Sequence, residues 1–99
     1  YEAYHEIKNL SNPNGALATY DVVGNICETD TFASDRQIPT ISEGDLLVFE
    51  NAGAYGFEMA SNFNSRYKPA EVMIIKGEAK LIRQRDTFED LTRNQIEVL

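Results

Sequence analysis

The sequence predicts a mainly β domain, a small Greek-key-type β-barrel or sandwich with one or two short helices. Three observations carry that expectation. Short β-branched and aromatic runs recur, as in Leu17–Val23 and Glu71–Ile75. Turn signals separate them: Ser11-Asn12-Pro13-Asn14-Gly15, Ser42-Glu43-Gly44-Asp45 and Lys76-Gly77-Glu78. The continuous apolar run Leu46–Phe49 has the length of a buried strand rather than a helix. Antiparallel strands joined by tight turns pack as sandwiches or barrels.

Taken in order, Tyr4–Leu10 reads as extended. Ser11–Gly15 reads as a hairpin loop, because Pro presets a turn φ and Asn-Gly supplies positive φ. Leu17–Val23 is the next strand. Gly24–Asp35, polar around Cys27 and Phe32, reads as a loop. Arg36–Pro39 leads into the second turn and then Leu46–Phe49. Asn51–Arg66 holds Gly53 and Gly56, three aromatics and three asparagines. It reads as a loop with one helical turn at Phe57–Ala60, its glycines marking close backbone approach or special φ/ψ. Glu71–Ile75 and Ala79–Arg83 form a hairpin through Lys76-Gly77-Glu78. Asp86, with Glu89 three residues later, looks like a capping box that starts a short helix over Thr87–Arg93. The expected total is four or five strands.

The 99 residues suit a single domain, and 42% hydrophobic with 25% charged residues is ordinary globular composition rather than a disordered profile. Nine basic against sixteen acidic residues leave a net charge of −7, which disfavours nucleic acid and anionic membranes as partners. No apolar run approaches the roughly 20 residues of a membrane span, and YEAYHEIKNL has no signal-peptide h-region. The single cysteine, Cys27, cannot close an internal disulfide or build a cysteine-rich zinc site; a cytoplasmic location is expected. The Asn9-Leu10-Ser11 sequon is given no weight, since chance matches are common. The chain opens on Tyr1 rather than Met, which suggests a piece of something longer.

Four places could carry chemistry. In Gly24–Asp30 a thiol stands beside the carboxylates of Glu28 and Asp30. A neighbouring carboxylate raises a thiol's pKa, so Cys27 suits a protonated acid better than a thiolate nucleophile; the bland alternative is a small buried hydrophobe among solvated acids. In Ala52-Gly53-Ala54-Tyr55-Gly56 a phenol flanked by small residues can reach a ligand lying close to the backbone, or is simply a packed tyrosine. Asn62–Tyr67, with dense hydrogen-bonding side chains beside aromatics, reads as an interface or a rigid loop, structural use being favoured. His5, the only histidine, reads as packed and hydrogen-bonded more readily than as the partner of Cys27 in a dyad.

Seven segments in order carry a resemblance: Tyr1-Glu2-Ala3-Tyr4-His5; Gly24, Cys27-Glu28, Asp30 and Phe32; Asp35-Arg36 with Pro39; Gly44-Asp45-Leu46-Leu47; Ala52–Gly56; Ser61–Arg66; and Pro69-Ala70-Glu71-Val72. Over nearly its whole length the chain resembles the C-terminal part of the diaminopimelate decarboxylases, members of the alanine-racemase-like (fold-type III) class of pyridoxal-phosphate enzymes.

That resemblance implies a C-terminal β-domain, residues 1–99, whose N-terminal α/β barrel is absent along with the lysine that attaches pyridoxal 5′-phosphate. It implies conversion of meso-2,6-diaminopimelate to L-lysine and CO2, with this domain reaching into the partner's barrel across a homodimer interface. Cys27 matches the acid that protonates the carbanion left by CO2. Glu28 matches the carboxylate that binds the substrate's distal amino group. Tyr55 matches the tyrosine that touches cofactor phosphate and substrate. Tyr1 matches a tyrosine that helps hold the distal carboxylate. Lys8, Lys68, Lys76 and Lys80 match nothing catalytic, so the chain alone is expected to be inactive. Related ornithine decarboxylases place Asp after the cysteine, so Glu28 favours diaminopimelate. An ornithine- or arginine-type decarboxylase of the same class, and a stand-alone β-barrel interaction module without catalysis, are the alternatives.

Overall fold

The structure is a computed structural model that describes residues 3–26 and 31–99. Six strands and two short helices are present among them: β1 (Ile7–Asn9), β2 (Leu17–Val23), β3 (Thr31–Pro39), β4 (Leu47–Phe49), α1 (Gly53–Glu58), β5 (Glu71–Ile75), β6 (Glu78–Arg83) and α2 (Phe88–Thr92), with a 3₁₀ turn at Phe63–Ser65. The strands form three two-stranded antiparallel sheets, β1-β4, β2-β3 and β5-β6, and no closed barrel is formed among the described residues. No helix among them is long and apolar enough to cross a membrane. The chain divides into two compact units, Tyr1–Ala52 and Gly53–Leu99.

In the first unit, Ile7, Ala33 and Ile38 are the buried apolar centre, with Tyr20, Val22, Ile41, Leu47 and Phe49 packed against it. Phe32 meets Phe49 edge-on at 5.4 Å between centroids. Asn9 is buried among these apolar groups at 1% exposure. Its Nδ2 donates to the carbonyls of Pro39 (3.3 Å) and Thr40 (3.2 Å) and to Asp45 Oδ2 (3.1 Å). Its Oδ1 accepts from the backbone N–H of Ser11 and Asn12. A buried amide must have such partners, and here they tie β1, the following turn and the β3–β4 connection together. That burial also disposes of the sequon.

Two expectations for this unit are corrected. Ser11–Gly15 does make a turn, Gly15 N–H donating to Asn12 O, but it does not close a hairpin. β1 pairs with β4 and β2 with β3, because the Asn9 side chain takes the N–H groups of Ser11 and Asn12 that would start a β1–β2 ladder. Neither Asn14 nor Gly15 has positive φ. At Gly15 a Cβ would displace the Asn12 side chain from its place. The second correction is β3, which begins at Thr31 inside the segment read as a loop. Register shifts between Tyr20/Val22 and Val22/Val23 break the period-2 pattern that identifies a strand. Asp35 takes φ 54° there and donates its N–H to Asp21 Oδ1. Leu47–Phe49 is a strand as expected, half-buried rather than buried.

In the second unit, Lys76 (φ 50°) and Gly77 (φ 79°) form a two-residue turn with both φ positive, the hairpin geometry that matches strand twist. The β5–β6 hairpin is thus as expected, with β6 starting one residue earlier. The helical turn read at Phe57–Ala60 lies earlier, at Gly53–Glu58. The capping box belongs to Thr87 and Asp90, one residue on from the expected pair, and Thr87 N–H donates to Asp90 Oδ2 at 2.8 Å. Asp86 is not the cap because its carboxylate is committed elsewhere, to Lys68 N–H and Asn62 Nδ2.

Candidate functional site

Three of the four residues singled out for a site, Tyr1, Cys27 and Glu28, lie outside the described residues. Among the described residues the last register pair of β2 and β3 is Val23↔Thr31. His5 Nδ1 stands 3.1 Å from Glu50 O, and its carbonyl accepts from Arg36, whose guanidinium lies 4.0 Å from the centre of the Tyr4 ring. This is the packed, hydrogen-bonded histidine that its neighbours suggested. Lys8 pairs with Glu50 at 2.6 Å, and the hydrogen bond to that carboxylate holds the ammonium pKa above its ordinary value.

Tyr55, the fourth residue, sits in the middle of α1 and is 54% exposed. Gly53 and Gly56 flank it. Neither has positive φ, and a Cβ on either would meet nothing within 4 Å. Glycine within a helix costs roughly 0.5–1 kcal/mol relative to alanine, and nothing in the described chain requires it at these positions. The glycines therefore leave bare backbone on both sides of the tyrosine.

α1 is six residues long and too short to persist alone. All its residues are exposed except Phe57, which is half-buried. The Phe57 ring lies under the Arg83 guanidinium, 4.2 Å from the centroid, with the Lys68 ammonium at 6.0 Å. Arg83 is ion-paired with Glu71. Lys68 is fixed through its backbone: its N–H donates to Asp86 Oδ2 at 2.8 Å, and its carbonyl accepts from Asp86 N–H. Asn62 Nδ2 donates to the same Asp86 oxygen (2.9 Å) and to Arg66 O (2.8 Å). The Lys68 N–H, and after it Asn62, hold the Asp86 carboxyl below the usual carboxylate range. Asn62–Tyr67 is thus a hydrogen-bonded loop, with Asn64 and Ser65 both at φ 58°.

Phe57 also lines two grooves. One, of about 360 Å³, is mainly apolar and includes Gly53, Pro69, Val72 and Met73. The other, of about 470 Å³, includes Asn62, Lys68, Arg85 and Arg93. Sequence reasoning missed Arg83, Asp86 and Asn9 as organising residues. Only Asp86 left a readable signal, an acid before a Thr-initiated helix, and that signal pointed to the wrong partner.

A family model, the C-terminal sheet domain of pyridoxal-dependent decarboxylases, matches residues 1–53. A diaminopimelate decarboxylase of Methanothermobacter thermautotrophicus is 48% identical over 96% of this chain and 23% of its own length. One from Campylobacter jejuni is 50% identical over 91% of this chain and 22% of its own length. Among solved structures, the diaminopimelate decarboxylase of M. jannaschii in co-complex with L-lysine superposes with a TM-score of 0.86 at 38% identity, covering 99% of this chain and 23% of that one. The Helicobacter pylori enzyme complexed with L-lysine gives 0.78 at 39% identity over 92% of this chain and 23% of that one. The chain therefore spans about a quarter of the length of the relatives it matches. With the family model covering more than half of it, the chain belongs to the pyridoxal-dependent decarboxylases, as their C-terminal sheet domain.

Proposed function

We propose that the chain is the C-terminal domain of a diaminopimelate decarboxylase that converts meso-2,6-diaminopimelate to L-lysine and CO2. The observation that carries this reading is agreement along nearly the whole chain with proteins named for that activity, at 48% and 50% identity. The L-lysine held by the M. jannaschii and H. pylori relatives is the product this reaction requires.

The residues suit pyridoxal phosphate. An exposed tyrosine stands between two glycines whose Cβ positions are empty, which suits a phosphate-bearing group that must come close to backbone. Bound there, the cofactor supplies the electron sink for the pair released when the bond from Cα to the carboxylate breaks. The Tyr55 hydroxyl donates to the cofactor phosphate, a charge-assisted hydrogen bond. Glu28 accepts from the substrate's distal ammonium, and Tyr1 donates to its distal carboxylate. Cys27 gives its S–H proton to the α-carbon that has lost CO2, and the thiolate is reprotonated from solvent.

The same reading makes the full protein a cytoplasmic homodimer in which these side chains serve the partner's α/β barrel. It also completes the open edges of the two-stranded sheets into a Greek-key barrel with strands from elsewhere in the protein. A Cys27→Ala substitution in the complete protein tests it, with lysine formation from meso-diaminopimelate followed and cofactor content measured. The expected loss is on the order of 10²–10⁴-fold with the cofactor still bound. A variant nearly as fast as the parent would remove Cys27 from the mechanism.

A further inference from the structure

We infer that the cation–π clamp of Arg83 on Phe57 is a positioning device that sets the place of Tyr55, and through it the affinity for the cofactor. The inference rests on the reading above, in which Tyr55 meets the cofactor phosphate. Its basis is mechanical. α1 contains no buried residue, and Phe57, two positions after Tyr55, is its one half-buried side chain. Exposed Gly53 and Gly56 weaken the helix further. One hold on α1 therefore acts on the Phe57 ring. Two cations converge there, Arg83 at 4.2 Å and Lys68 at 6.0 Å.

The Arg83 guanidinium and the Lys68 backbone are themselves held. Glu71 pairs with Arg83 across the β5–β6 ladder, where the two residues are register partners. Lys68 is fixed by reciprocal backbone bonds with Asp86, whose carboxylate also takes Asn62. The clamp thus transmits the rigidity of a hairpin and a knotted loop to a short, glycine-weakened helix. Arg83 and Phe57 touch neither substrate nor cofactor in this scheme. They act only by restricting where the Tyr55 hydroxyl can be.

The test is a double-mutant cycle in the complete protein, read as the dissociation constant of pyridoxal phosphate from the apoprotein. Tyr55→Phe weakens binding by about tenfold, the worth of one hydrogen bond to a charged group. Phe57→Leu and Arg83→Gln each weaken it about three- to fivefold, the scale of an exposed cation–π contact. Phe57→Tyr, which keeps the ring, stays near the parent. On the Tyr55→Phe background, Phe57→Leu and Arg83→Gln add nothing further. If they weaken binding equally with and without the Tyr55 hydroxyl, the clamp acts generally on the fold and the inference fails alone. If Tyr55→Phe leaves cofactor affinity unchanged, the role of Tyr55 fails and the inference falls with it.

Discussion

Asn9 shows how much of the first unit can hang on one side chain. An amide that is 1% exposed among Ile7, Ile38 and their neighbours is tolerable only because both its donor and acceptor ends are used. Removing it takes a donor from the carbonyls of Pro39 and Thr40, of which Thr40 keeps the Asn12 side chain, and leaves the N–H groups of Ser11 and Asn12 short of an acceptor. Asn9→Ala is expected to cost about 3 kcal/mol in thermal or urea unfolding, the scale of a broken buried network. Asn9→Asp should cost at least as much, because it loses the donor and sets a second carboxylate against Asp45. A change under ~0.5 kcal/mol for Asn9→Ala, the range of an ordinary surface substitution, would show that the knot contributes little. Nothing in the sequence marked this residue as more than a chance sequon, because its partners lie up to 36 residues away.

Among the elements, the β5–β6 hairpin was legible and β3 was not. Lys76-Gly77 carries its own instruction, a glycine where φ must be positive between two β-branched or apolar runs. β3 carries no such mark, since its bulges spoil the alternation and Thr31–Asp35 contains one buried residue, Ala33. β1 and β4, three residues each, pair across 40 positions of sequence, and local pattern is silent on such pairings. α1 is the element where structure and proposed chemistry pull against each other. Gly56→Ala meets no atom within 4 Å and should strengthen the helix by roughly 0.5–1 kcal/mol. The same methyl group should weaken cofactor binding in the complete protein if the bare backbone is there for a ligand. Thermal unfolding and a cofactor titration on one variant check both halves, and tighter or unchanged cofactor binding would contradict the reading.

At the scale of the molecule, the buried apolar set among the described residues is small, and much apolar surface faces outward. Val72, Ile74 and Leu81 share one face of the β5–β6 hairpin and are 57%, 67% and 62% exposed. Met73 and Ile75 are exposed on the other. Contiguous apolar exposure of this kind marks surfaces that are meant to be covered, which suits a domain aligned with a quarter of its relatives' length. The site is legible to different degrees for the same reason. Tyr55 and its glycines stand out in sequence and the structure presents them openly. Cys27, Glu28 and Tyr1 rest on motif order alone and lie outside the described residues. Substrate and reaction are therefore what remain to be measured, by kcat/KM of the complete protein for meso-diaminopimelate against L-ornithine and L-arginine. Meso-diaminopimelate is expected to be strongly preferred, with L-lysine and CO2 appearing in equal amounts. A preference for ornithine or arginine, or no decarboxylation of any of the three, would contradict that expectation.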